Sequence, residues 1–322
     1  MKKILLIDAD SKIPNIALMK LSTHYKNKNY DVDLIKLNIP YFPNKRKQVY
    51  DIFNSSLYEK VFCSIIFNNN KYNVIGKNII YGGTGYDIKS KLDIEIEKEK
   101  PDYSIYPEND ISYGFISRGC IRKCKFCIVP EKEGFIHQVN NISDIIKHDK
   151  VKFLDNNFLA LSNHTDILNE LIERKIKCQF NQGLDIRLVN KSNSLLLSKL
   201  NYLGNYLFAF DDIKYLNIIK EKLKLLDWRN KDQIRFFVYV HPDMKINNIT
   251  QRIQFIKNNE CLPYVMRDIS CWASTNNHFY TDITVYCNQP HIFKKMSFIE
   301  FLKKRHRNES RIENSYKLYM SN

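Results

Sequence analysis

Residues 3–37 read KILLIDADSKIPNIALMKLSTHYKNKNYDVDLIKL, and their pattern decides the fold class. Lys3 to Ile7 is a short apolar run of β character, Ile16 to His24 is a helical stretch, and Val32 to Leu37 returns to a strand pattern. That order predicts βαβ units over a parallel sheet, which Val61 to Phe67 extends. Tyr81-Gly82-Gly83-Thr84-Gly85-Tyr86 follows Ile79-Ile80. Its glycines allow either a sharp turn or a close approach of the backbone to a ligand.

Downstream, the stretch from Glu97 to Pro107 is charged, carries two prolines and loses the apolar pattern, as a linker does. Residues 1–95 are therefore expected to form one domain and 96–110 a linker. From residue 111 strand candidates recur at Tyr113–Ile116, Val151–Leu154, Lys177–Phe180, Tyr206–Phe210, Ile234–Val240 and Tyr264–Met266. Helical patterns lie between them, with Ile167, Leu168, Leu171 and Ile172 on one face, then 195–200, then 218–226. Repeated βα units predict a barrel over residues 111–270. About six strands, fewer than the eight of a complete TIM barrel, would leave it open on one side, with active residues at the C-terminal strand ends. Residues 271–322 form an extension containing the basic run Lys303-Lys304-Arg305-His306-Arg307.

With 44% hydrophobic and 13% aromatic residues in 322, the chain can bury a sizeable core, which excludes a disordered protein. No apolar run approaches the ~20 residues of a membrane helix, and Met1-Lys2-Lys3 leads into an apolar stretch too short for a signal peptide, so a cytoplasmic location is expected. The net charge of +15 would suit RNA or another polyanion. Lys, Asn and Ile are abundant from end to end, however, as biased base composition expressed on solvated faces would also produce.

After the first barrel strand comes Ser117-Arg118-Gly119-Cys120-Ile121-Arg122-Lys123-Cys124-Lys125-Phe126-Cys127-Ile128-Val129-Pro130. Three of the eight cysteines fall within eight residues, a pattern of metal binding in a reducing compartment rather than of a disulfide scaffold. Three thiolates so spaced can hold three corners of a cubane cluster. The alternative is structural zinc completed by His137 or Cys178, but zinc sites usually draw ligands from two separated pairs.

This CxxxCxxC loop resembles the signature of the radical S-adenosylmethionine (SAM) superfamily. Its surroundings resemble the subgroup containing tRNA methylthiotransferases and proteins with a cobalamin-binding-like domain. The resemblance implies an α/β fold with an N-terminal Rossmann-like domain and a partial (β/α)6 barrel of TIM type. It also implies a 4Fe-4S cluster on Cys120, Cys124 and Cys127, SAM bound at the open iron, and an external electron donor of flavodoxin or ferredoxin type. An electron passed through the cluster would release a 5′-deoxyadenosyl radical from SAM to act on an unidentified substrate.

By the same resemblance Phe126 would lie near the SAM adenine, with plain core as its alternative. Asp155 and Asn157 stand where the family contacts the methionyl amine, although its Gly-Gly-Glu stretch is absent and both are ordinary turn residues. Asp185 and Arg187 would share one side of a continuing strand, with Arg187 on the SAM carboxylate or the two forming a bracing pair. Asp211 or Asp212 would hold the ribose hydroxyls, and Asp212 fits a helix N-cap equally. His241 ends a strand but also suits a loop. Cys261, Cys271 and Cys287 fit either a second cluster or small buried hydrophobes.

The chain departs from both relatives. Asp8 to Asn15 holds no histidine to ligate cobalt, and Cys63 alone precedes Cys120, where methylthiotransferases carry three cysteines. Two alternatives follow: a cobalamin-dependent radical SAM methyltransferase, or a non-catalytic Fe-S or zinc protein that binds nucleic acid.

Overall fold

The computed structural model describes residues 2–40, 48–52 and 56–321. They form an α/β structure with parallel sheets in two compact units, one of residues 1–135 and 139–151, the other of 136–138 and 152–322.

The first unit contains β1 (Lys3–Asp8), α1 (Ile16–Asn27), β2 (Asp31–Lys36), β3 (Lys60–Ser64), β4 (Ile79–Gly82) and β5 (Ile111–Gly114). Strands β2-β1-β3-β4 pair in that order, all parallel. Central β1 is apolar from Ile4 to Ile7 because both of its faces are covered there. Ile4 and Leu6 pack with Leu18, Leu21 and Tyr25 of α1, while Leu5 and Ile7 pack with Ile39, Val61 and Cys63.

Strand β3 stops short of the expected Phe67. The Asp10 carboxylate accepts the N–H groups of Ile66 at 2.7 Å and Phe67 at 3.1 Å, so these amides bond a side chain instead of extending the ladder. The glycine-rich turn lies against the same loop. A Cβ on Gly83, whose φ is +92°, would sit 2.4 Å from the Ile65 carbonyl oxygen, and one on Gly85 would sit 2.5 Å from Phe67 backbone. These glycines serve backbone-to-backbone packing.

The segment expected as a linker is fastened to the first unit. Ile96, Tyr103 and Tyr106 are buried, and Tyr106 donates its hydroxyl to the buried Asp8 carboxylate at 2.8 Å. Asp102 accepts from Ser22 and Lys26 of α1, each at 2.7 Å, and from the Ser104 amide. Burial pushes its carboxyl up, but the bonds from Lys26, Ser104 and Ser22 outweigh this and hold it at about 2. A carboxyl depressed on folding adds stability that is present above its unfolded value of about 3.9 and is lost as pH falls through the folded value. Asp102→Asn is expected to lower stability at neutral pH by about 1.5 kcal/mol and to flatten the acid limb of the melting curve between roughly pH 5 and 2. Circular dichroism melts across that range check it; an acid limb as steep as in the parent would refute the attachment.

Strand β6 (Lys150–Phe153) carries the chain into the second unit, where elements alternate: α2 (His164–Glu173), β7 (Lys177–Phe180), α3 (Lys191–Lys199), β8 (Tyr206–Ala209), α4 (Leu216–Lys224), β9 (Ile234–Val240), α5 (Ile246–Asn258) and β10 (Leu262–Arg267). Helices α6 (Asn277–Cys287), α7 (Pro290–Lys295), α8 (Phe298–Arg305) and α9 (Glu309–Met320) follow. Strands β8, β9 and β10 pair in parallel, and parallel bridges at Cys178–Tyr202 and Leu184–Phe208 connect the β7 segment to the β8 segment. Residues alternate along β9, with Phe236, Val238 and Val240 buried. Among the described residues no helix is long and apolar enough to cross a membrane.

Candidate functional site

The cysteine loop belongs to the first unit. Gly119 opens it at φ +85°, and a Cβ there would lie 2.3 Å from the Phe135 carbonyl oxygen, so only glycine lets the loop start this close to the chain's return. The Cys120 amide donates to the Gly134 carbonyl at 3.1 Å and the Cys127 amide to the Cys124 carbonyl at 3.0 Å. The Arg122 amide points at Cys120 Sγ, 3.3 Å away. Arg118, just before the loop, stacks its guanidinium 4.4 Å above Phe115 and pairs with Glu97 and Glu133, each at 3.3 Å. Glu97, from the segment expected as a linker, thus braces the approach to the cysteines. Phe126 is 39% exposed, which rules out the plain core alternative.

All eight cysteines are free thiols, and burial divides them. Cys63, Cys178, Cys261, Cys271 and Cys287 are buried, whereas Cys120, Cys124 and Cys127 are half-exposed. Burial pushes the Cys63, Cys178 and Cys261 thiols up to about 12 and that of Cys271 up to about 11. The Cys287 thiol is raised well above its ordinary value by the same cause. Thiolates are the metal ligands, so Cys178 is a poor partner for zinc, and the C-terminal cysteines behave as small buried hydrophobes. Among the described residues no three Cys, His, Asp or Glu side chains are gathered closely enough to hold a metal ion. The loop thiols share one turn-rich segment. As a donor set, three unbridged and partly exposed thiols suit an iron-sulfur cluster.

The second unit carries the remaining residues just beyond its strands. Asp155 and Asn157, both buried, follow β6, and Asn157 precedes a 3-10 turn at Phe158–Ala160. Strand β7 ends at Phe180, so Asp185 and Arg187 are not brought to one side by strand alternation. A 3-10 turn at Ile186–Leu188 does this instead: Asp185 caps it by accepting the Arg187 amide at 3.2 Å, and takes Arg187 Nε at 2.6 Å and a terminal guanidinium nitrogen at 2.9 Å. Tyr215 supports that guanidinium from below at 4.4 Å.

Asp211 follows β8 and accepts the Tyr239 amide at 3.0 Å. Burial raises its carboxyl, opposed by that bond and by the charges of Arg252 and Arg187. Asp212 caps the next 3-10 turn through the Lys214 amide at 3.1 Å, as the N-cap alternative expected. Tyr239 of β9 donates its hydroxyl to Asp268, just past β10, at 2.7 Å, and His241, just past β9, stands 3.9 Å from the same carboxylate. Asp185, Arg187 and Asp211 lie within electrostatic reach of one another, and each follows the end of a strand.

Sequence patterns missed the residue that organises these ends. Arg252 of α5 is fully buried and donates to the carbonyls of Phe210 at 2.8 Å and Tyr239 at 3.1 Å, and to its own helix at Asn248. Burial lowers its guanidinium to about 10, with Asp211 and Asp212 opposing. The clue was present: Arg252 shares the apolar face of α5 with Ile249, Ile253 and Ile256. In the first unit Asp8, Asp10, Ser11 and Asn15 are all buried; Asn15 donates to Ser11 and Ser64, and Asp10 accepts from Asn70. The loop from Asp8 to Asn15, which holds no histidine, is thus fixed by internal hydrogen bonds.

Comparison with known proteins found nothing alike: no family model, curated protein or solved structure matches the chain.

Proposed function

We propose that this chain is a radical SAM enzyme, with Cys120, Cys124 and Cys127 holding a 4Fe-4S cluster; the second unit, taken by itself, carries strand-end residues whose chemistry suits SAM. The division of the cysteines carries this proposal: five are buried with raised thiols, and the three of the CxxxCxxC loop are half-exposed on a glycine-gated turn. The parallel order β2-β1-β3-β4 supports a Rossmann-like first domain, and the succession β6 to β10 with intervening helices supports a partial barrel.

When bound, the cluster supplies the electron that cleaves SAM to a 5′-deoxyadenosyl radical. Within the first unit, Phe126 offers an exposed ring to an adenine. Within the second, Asp155 and Asn157 offer oxygens to the methionyl ammonium. Arg187 engages the SAM carboxylate with its guanidinium oriented by Asp185 and Tyr215. Asp211 accepts from the ribose hydroxyls, and Arg252 anchors the backbone beside it. The donor of the electron is an external flavodoxin- or ferredoxin-type protein.

Electron paramagnetic resonance tests SAM engagement directly. The protein, reconstituted anaerobically with iron and sulfide and reduced with dithionite, is expected to give a cluster signal that shifts when SAM is added. Spectra that coincide with and without SAM would contradict SAM binding at the cluster.

A further inference from the structure

Helices α7 and α8 of the C-terminal extension bound a cavity of about 510 Å³. His291 and Lys295 line it from α7, Lys304 and Arg305 from α8, and Ile292 and Met296 supply part of an apolar floor. No carboxylate lines it. Cations in the last turn of α8 would favour that helix dipole wherever they pointed. The dipole of α8 gives no reason for His291 and Lys295, on another helix, to face the same cavity.

Nearby acids are engaged elsewhere. Glu300 closes the capping box of α8, accepting the Ser297 amide and hydroxyl at 2.7 Å each, and the amide bond leads in holding its carboxyl below the usual range. Asp282, fully buried, takes His306 at 2.8 Å, Arg311 at 3.0 Å and Arg305 Nε at 3.4 Å. Asp232 takes Lys294 at 2.8 Å. Among the described residues neither Lys295 nor Lys304 pairs with a carboxylate. Arg305 is tied by one edge to Asp282 and lies 5.9 Å from the Phe301 ring, which fixes its orientation.

We propose that this cavity binds a nucleotide, with Lys295, Lys304 and Arg305 around its phosphate and the base or ribose against the apolar floor. Two lysines with no carboxylate partner, beside an arginine whose other edge Asp282 holds, favour an anion, and phosphate is the anion for which lysine and arginine together are most suited. Its volume falls within the range of small-ligand pockets, roughly 300–1,000 Å³, a size suited to one nucleotide rather than to the length of a duplex backbone. The nucleotide is either free or displayed by single-stranded RNA, and the chemistry at the site is the same. The proposal stands independently of the cluster.

The test uses the full chain and two probes: a fluorescein-labelled twelve-nucleotide oligoadenylate RNA read by anisotropy, and AMP read by calorimetry. Lys295→Glu with Lys304→Glu is expected to weaken the probe that binds at least tenfold without shifting the thermal melt. For the RNA, the slope of log affinity against log salt should also fall by about 1.4, since each phosphate neutralised on a single strand contributes about 0.7. Lys199→Glu with Lys220→Glu, exposed on α3 and α4, makes the same charge change elsewhere and is expected to leave binding within twofold. Lys295→Gln with Lys304→Gln gives a milder pair should the glutamates disturb the helices.

Tight RNA binding with no AMP binding assigns the site to single-stranded RNA; AMP binding that displaces or replaces the RNA assigns it to free nucleotide. Equal losses in the cavity and control pairs, or no binding of either probe by the parent protein, would overturn the proposal.

Discussion

Replacing Cys124 with alanine is expected to abolish cluster assembly and SAM cleavage while leaving the fold close to intact. Cys124 is half-exposed in an irregular turn, and alanine keeps the backbone bond that its carbonyl accepts from the Cys127 amide. Truncation opens no cavity in a core, so stability should change by no more than about 0.5 kcal/mol. Cys178→Ala makes the opposite pattern: this thiol is fully buried in β7, so stability should fall by about 1–2 kcal/mol while iron content persists. Iron and sulfide analysis after reconstitution, with melting curves, separates the two variants. Full SAM cleavage by the Cys124 variant would remove the cysteine loop from the mechanism.

Arg252→Met should produce the largest loss of stability, about 3–5 kcal/mol, or a fall of about 10 °C in the melting temperature of the second unit. The side chain is fully buried and bonds the carbonyls at the ends of two successive strand segments. Methionine fills much of the volume but donates nothing, which removes the bonds to the Phe210 and Tyr239 carbonyls and leaves Arg187 as the cation still acting on the Asp211 carboxyl. Asp211 should then titrate higher, because burial already raises it and Arg252 is among the groups that hold it down. Thermal denaturation measures the first effect, and carboxyl-selective NMR titration the second. A melting temperature within about 2 °C of the parent would show that Arg252 does not organise the strand ends.

Where a residue's environment follows from its own neighbours in sequence, the pattern revealed it. Lys177–Phe180 and Ile234–Val240 are strands at the residues expected, because each is a compact β-forming run bounded by polar turns. The helical face read at Ile167, Leu168 and Leu171 is the buried face of α2. Features fixed by distant partners stayed hidden. Asp102 looked like one charge in a linker because its partners, Ser22 and Lys26, lie on α1. Arg252 sits on the apolar face of α5, but nothing in the sequence marks the carbonyls of Phe210 and Tyr239 as its acceptors.

At the candidate site the sequence placed the cysteines in one loop and the polar residues at strand ends, and both are found there. The pairing of Asp185 with Arg187 is one of the two alternatives read from the sequence, whereas the turn that makes it was not legible, since it depends on β7 ending at Phe180 and a 3-10 turn taking over. The cationic cavity was half visible. The Lys303–Arg307 run stood out, but Lys295 and His291 join Lys304 and Arg305 only through the packing of α7 beside α8.

The most direct measurement is chromatographic detection of 5′-deoxyadenosine after anaerobic reconstitution with iron and sulfide and reduction with dithionite in the presence of SAM. The proposed function predicts 5′-deoxyadenosine from the parent protein and none from the Cys124→Ala variant treated in parallel. A parent protein that assembles its cluster, takes up the electron and still returns SAM intact would contradict it.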